Sequence, residues 1–296
     1  MAKLKIEATT QPDLIDYLNG YSDFSFELTV LKMLREHEVD CDHGGHYVDP
    51  VTNKSREFDI RATKTIKNYR VRMSVECKNI RENFPILVSC VPRHKDESYH
   101  QVALVSERKR DSNMLIPAFG HQFRAKVLDI RGAHSLYSAG DPVGKSTVQV
   151  GRAMDGSISA NDSELYEKWG QCLSSLHGMV KAIYWDGDED DPLDAYLSAA
   201  FPFVVVPNGR LWVASYDLNG KRVADPKQVN RCSCFIGKDY KMGTELASTR
   251  LWISHMEIVT LDGLRSFVES HCMTEDGMKK VFPPAGLRDA FDRAAA

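Results

Sequence analysis

The 296-residue chain has no Cys-x-x-Cys pair, no apolar run near the length of a membrane span, no internal repeat and no low-complexity linker. The missing apolar run excludes a helical membrane anchor, and the initial Met-Ala-Lys-Leu-Lys-Ile lacks the core of a signal peptide. Seven cysteines, at 41, 77, 90, 172, 232, 234 and 272, are odd in number and widely scattered, which points to a reduced, cytoplasmic protein. A net charge of −3 gives no global signature of nucleic-acid binding, so any basic surface must be local. What is present, 43% apolar and 27% charged residues, is the composition of a soluble globular protein with an ample core.

Val30, Leu31 and Leu34 predict a helix over 25–38, with Ser22 or Asp23 as cap. Glu27 lies three, four and seven residues before them and opens the same stripe. Strands are expected over 45–48, 56–63 and 69–78, the last alternating Val71, Met73 and Val75 against Arg70, Arg72, Ser74, Glu76 and Lys78. Thr-Lys-Thr-Ile-Lys-Asn reads as the hairpin loop between the second and third. Within 84–160, strands are expected over 84–91 and 101–106, and the Gly-rich, irregular and basic remainder reads as an insertion. A helix over 163–183 carries Leu165, Trp169, Cys172, Leu176, Val180 and Ile183 on one face and ends at a solvated acidic loop, 186–191. Strands over 201–206 and 210–216 flank the turn signal Pro-Asn-Gly, and a strand over 251–259 precedes a helix over 262–271. One elaborated α/β domain, 1–296, fits this order better than two.

The chemistry concentrates in Arg-Glu-Phe-Asp-Ile, with Asp59, and Val-Glu-Cys-Lys-Asn, with Glu76 and Lys78. Residues two apart on a strand share a face, so Glu76 and Lys78 point the same way, and a hairpin brings Asp59 beside them. Asp59 and Glu76 are hard oxygen ligands suited to Mg²⁺. The competing reading of Glu76 and Lys78 is an ordinary solvated strand face shared with Arg70 and Arg72.

Helix with Glu27, strand, strand with Asp59, strand with Glu76-x-Lys78, insertion, helix, strand: this order resembles the PD-(D/E)XK nuclease superfamily. Asp59 matches the motif's Asp, with Phe58 where the family name implies Pro. Glu76 and Lys78 match the (D/E)-x-K element, and Glu27 matches the acidic residue often found on the first helix. The resemblance implies a restriction-endonuclease-like α/β fold, a mixed central sheet flanked by helices. Its core would cover about 22–83 and 163–216, with the insertion at 84–160 and a C-terminal α/β elaboration at 217–296. It implies catalysis by Asp59, Glu76, Lys78 and Glu27, and Mg²⁺ (Mn²⁺ substituting) on Asp59, Glu76, Glu27 and the Cys77 carbonyl. It further implies hydrolysis of DNA in restriction, phage defence or repair, with defence first. A homodimer is compatible with cutting two strands.

Arg93, Lys95, Lys109, Arg110 and Lys145 in the basic insertion are candidate phosphate contacts. Lys168 and Gln171 lie off the apolar face of the long helix, with Gln171 a secondary candidate beside the plainer reading of a solvent-facing polar residue. The alternatives are a module on the same fold that binds nucleic acid or an effector without cutting, and a nuclease acting on RNA. Gly144-Lys145-Ser146-Thr147 has Ala139 where a P-loop needs its first Gly, so no nucleotide cofactor is expected. His37, Cys41, His43 and His46 do not make a zinc-site pattern, and His43 and His46 are expected on a surface loop, with the substrate groove as the alternative.

Overall fold

Hydrophobic residues two apart along the chain build one large mixed sheet, and amphipathic helices cover its faces. The structure, a computed structural model, describes residues 6–106, 124–186, 195–243 and 248–295. Helices α1 (Gln11–Gly20) and α2 (Phe24–Glu36) lead into β1 (Asp40–His43), β2 (His46–Val48), β3 (Ser55–Glu57), β4 (Ile60–Ile66) and β5 (Tyr69–Cys77). Then come β6 (Ile86–Pro92), β7 (Tyr99–Ser106), β8 (Arg124–Arg131), β9 (Pro142–Arg152) and β10 (Ile158–Asn161). The long α3 (Ser163–Ile183) precedes β11 (Ala195–Val206), β12 (Leu211–Ser215), β13 (Lys227–Gln228), β14 (Arg231–Gly243) and β15 (Ser248–Thr260). Helices α4 (Leu261–His271), α5 (Glu275–Val281) and α6 (Pro284–Ala295) end the chain. Among the described residues no helix is long and apolar enough to cross a membrane.

The main sheet runs β1-β4-β5-β11-β15-β14-β9-β6-β12-β13, with β10 on β9 and the β7–β8 pair joined through β11. β11 lies between β5 and β15, parallel to both, and is buried along nearly its whole length. Its run of Phe203, Val204, Val205 and Val206 is what a strand covered on both faces requires. One face packs under α3 through Leu165, Cys172, Leu176, Val180 and Ile183. The other packs against α2, α4 and α5 through Leu34, Leu264, Phe267 and Met278.

Several elements differ from the sequence expectation. The strand expected over 56–63 divides at Phe58–Asp59: β3 pairs with β2 in a small separate sheet, and β4 pairs with β1 and β5. The hairpin loop shrinks to Lys67–Asn68, with Lys67 at φ 53°, because Thr63 to Ile66 remain paired. The described residues within 84–160 are largely regular, and β6, β7, β8, β9 and β10 all join the main sheet. Gly144 to Thr147 lie within β9, where a Cβ on Gly144 would meet Cys234 Sγ at 2.4 Å. Pro-Asn-Gly does not close a hairpin: β12 leaves β11 and pairs in parallel with β6. His43 ends β1 rather than lying on a loop. Lys109, Arg110 and most of the acidic 186–191 segment lie outside the described residues.

The polar face of β5 is not solvated. Arg72, Ser74 and Glu76 are all buried under α3, which runs back along the strand. Ser74 donates to the Cys172 carbonyl at 3.0 Å, and Arg61 of β4 donates to Ser175 Oγ and to its carbonyl. Beyond the helix end, Asp186 takes Arg72 at 2.8 Å and pairs with Arg70. Asp186, expected in a solvated loop, is 2% exposed. Its replacement by Asn leaves a buried guanidinium without its counter-charge, at a cost of about 3–5 kcal/mol. Urea unfolding of Asp186→Asn at neutral pH should show that loss, and a loss below about 1 kcal/mol would mean that water already solvates the pair.

Candidate active site

The β4–β5 register sets Ile60 opposite Val75, which carries Asp59 to the level of Glu76. Asp59 sits at the break between β3 and β4, and the break is fixed by close packing. Phe58 donates its amide to the Gly45 carbonyl at 2.9 Å, and its ring lies so near Gly45 that a Cβ there would be 2.5 Å away. The Asp59 carbonyl accepts from Gly44 at 3.0 Å. Its carboxylate then accepts the Cys77 amide at 2.7 Å, which ties it to the end of β5 beside the Cys77 peptide.

Glu76 is 0% exposed, and both of its carboxylate oxygens are enclosed without a hydrogen-bond donor. Burial, then the adjacent Asp59, lifts its carboxyl well above the ordinary range, against the pull of Lys168. Lys168 Nζ bonds Asp59 Oδ2 at 2.9 Å and stands 3.6 Å from Glu76 Oε2. Burial lowers the Lys168 ammonium, but Asp59 and Glu76 outweigh that effect and hold its pKa above the usual lysine range. This amine is therefore a fixed positive charge at neutral pH.

Glu27 faces the same site from α2. Burial and the Asp59 charge raise its carboxyl, opposed by Lys168 and by His43, whose Nε2 is 3.5 Å from Glu27 Oε2. Lys78 follows the end of β5, and its ammonium lies 3.4 Å from Asp23 Oδ2. Asp23, the N-cap position of α2, makes no side-chain cap bond and instead accepts the Asn79 amide at 2.7 Å. That contact staples the start of α2 to the strand carrying Glu76. Among the described residues no group of three or more His, Cys, Asp and Glu side chains stands ready to hold a metal ion. The group between Asp59 and Glu76 is the Lys168 ammonium.

Among the described residues, the candidate phosphate contacts Arg93, Lys95 and Lys145 lie elsewhere. Arg93 is 4% exposed and donates to His255 Nε2, the Ser138 carbonyl and Ser233 Oγ, so its guanidinium serves the interior. Lys145 pairs with Glu97 and Lys95 is exposed in a 3₁₀ turn. Gln171 is half-buried, and its carbonyl accepts the Tyr47 hydroxyl at 3.2 Å.

The structure thus gathers Glu27, Asp59 and Glu76, and adds Lys168, which the sequence reading left on the polar side of its helix. A signal for it existed: Lys168 falls three residues after Leu165 and four before Cys172, at the border of the apolar stripe. Glu27 borders its own stripe in the same way.

A carboxyl with a raised folded pKa costs stability as pH climbs from the ordinary value of 4.5 through the folded one. Glu76→Gln removes that cost. In EDTA at pH 8 the variant should melt higher, by about 2–4 °C for each kcal/mol recovered. The gain should shrink as pH falls toward the ordinary glutamate range. Thermal melts across pH check this, and a Gln variant that melts below the parent at pH 8 would show that the ionised carboxylate is stabilised as it stands.

No protein-family model, curated protein or solved structure matches the chain.

Proposed function

We propose that the chain is a Mg²⁺-dependent endonuclease of the restriction-endonuclease-like fold that hydrolyses phosphodiester bonds of DNA. One contrast carries this reading. Glu257 and Glu76 are both fully buried. Glu257 receives Arg231 through two bonds of 2.8 Å and the Tyr137 hydroxyl at 2.8 Å. Burial pushes its carboxyl up, and Arg231 and Tyr137 outweigh that, leaving it below the ordinary range. Glu76 has no donor within 3.5 Å on either oxygen, Lys168 stands 3.6 Å off, and a second carboxylate lies beside it. A structural acid is satisfied as Glu257 is, whereas an unsatisfied one in a cluster of acids marks a site that binds a cation or handles protons.

The oxygen donors are of the kind a hard divalent ion takes once it displaces the Lys168 ammonium from between Asp59 and Glu76. Asp59 and Glu76 would hold it, with Glu27 and the Cys77 carbonyl beside them. Bound there, Mg²⁺ supplies Lewis acidity toward the phosphate and a more acidic attacking water. Lys168, kept charged by its two carboxylates, stabilises the negative charge that grows on the phosphate oxygens. Asp59, fixed by the Cys77 amide, holds the carboxylate pair in register, and His43 stands beside Glu27. Lys78 guards the rim through Asp23.

Purified protein should nick or cut plasmid DNA with Mg²⁺ or Mn²⁺ and not with EDTA. Asp59→Ala and Lys168→Met should each lower the rate by roughly 10²–10³-fold while the fold persists. Lys168→Met should cost more than Lys78→Met. Parent-like cleavage by Asp59→Ala would reject the site, and a larger loss in Lys78→Met would return the catalytic amine to the strand.

A further inference from the structure

Helix α1 is well made yet buries nothing. Thr10 and Asp13 close a reciprocal capping box and a proline sits in the first turn, but none of its residues is buried. Its apolar side chains Leu14, Ile15, Tyr17 and Leu18 are left exposed. Tyr17 and Tyr21 present nearly parallel rings, 5° apart in plane with centroids at 6.5 Å. The Arg81 guanidinium lies 3.7 Å over the Tyr21 ring, and its Nε donates to the Gly20 carbonyl. Tyr21 remains 63% exposed.

This face runs on into the site. Phe24 opens α2 one turn before Glu27, so the two side chains share a helix face. Its ring is 55% exposed and 5.9 Å from the His43 ring, and His43 touches Glu27. The Asp23–Asn79 bond holds the segment at a fixed place relative to Glu76. Exposed rings beside the carboxylates, with the Arg81 guanidinium already stacked on one of them, suit a ligand with flat bases. A protein seated permanently here would cover Phe24 and His43 and close the approach to Glu27.

We propose that Tyr17, Tyr21 and Phe24 form a stacking platform for unpaired bases, so that the strand cut at the carboxylates is single-stranded or locally opened. Paired bases have their faces covered by their neighbours in the duplex and cannot stack in this way. The inference rests on the phosphodiesterase reading for the purpose of the platform, not for its existence.

Fluorescence anisotropy of the whole protein in EDTA, with short labelled oligo(dT), oligo(rU) and a duplex of equal length, tests it. Unpaired strands should bind at least about tenfold more tightly than duplex, and Tyr21→Leu and Phe24→Leu should each weaken unpaired binding by roughly tenfold. Leucine keeps the apolar bulk and removes the π-face, so duplex affinity and melting temperature should hold. The dT and rU arms show which sugar is accepted. Equal affinity for duplex, or parent affinity in both leucine variants, overturns the platform. So does a dimer by sedimentation that closes over Leu14 and Leu18. Binding through these rings with no cleavage of any strand in Mg²⁺ or Mn²⁺ upholds the platform and overturns the nuclease.

Discussion

The structure depends on the burial of the polar face of β5 beneath α3. A strand that carries Arg72, Ser74 and Glu76 into an interior leaves three different electrostatic demands, and the helix and its flanks satisfy two and set a cation beside the third. Asp186 neutralises the arginine end, the Cys172 carbonyl takes the Ser74 hydroxyl, and Lys168 faces Glu76. These contacts tie α3 and the residue beyond its end to β5 at three points along the strand.

The two ends of that face differ in kind. Around Arg72 the donors and acceptors are closely matched, with Ser198 adding a further bond to the same carboxylate. Around Glu76 they are not: Glu27, Asp59 and Glu76 stand near one ammonium, and Glu76 has no donor. Acids brought together at one end of a sheet oppose folding. The same chain satisfies Glu257 completely, so its fold is able to do so.

Position near the entrance follows from the same contacts. Asp23 gives up the usual capping bond to hold the Asn79 amide, which anchors α2, and with it Glu27 and Phe24, to the strand that carries Glu76. The Asp23–Asn79 contact therefore holds Glu27 and Phe24 of α2 in place relative to the strand with Glu76.

Periodicity alone made α3 legible over its full observed length and located α2, the strand with Glu76 and the α/β class. The pairing of Asp59 with Glu76 was also legible, because a hairpin between neighbouring segments admits few registers. The paired acids on adjacent strands, and a third on a helical stripe, belong to the sequence itself. Lys168 belongs to the tertiary structure, because a residue at the border of an amphipathic stripe faces water or a neighbour according to what packs against it. Burial of the β5 polar face and the joining of β6 through β10 to the sheet were likewise decided by long-range pairing, such as that of β7 with β11. Local pattern sets which side of a strand is polar; only the completed sheet and the helix laid over it decide whether that side meets water.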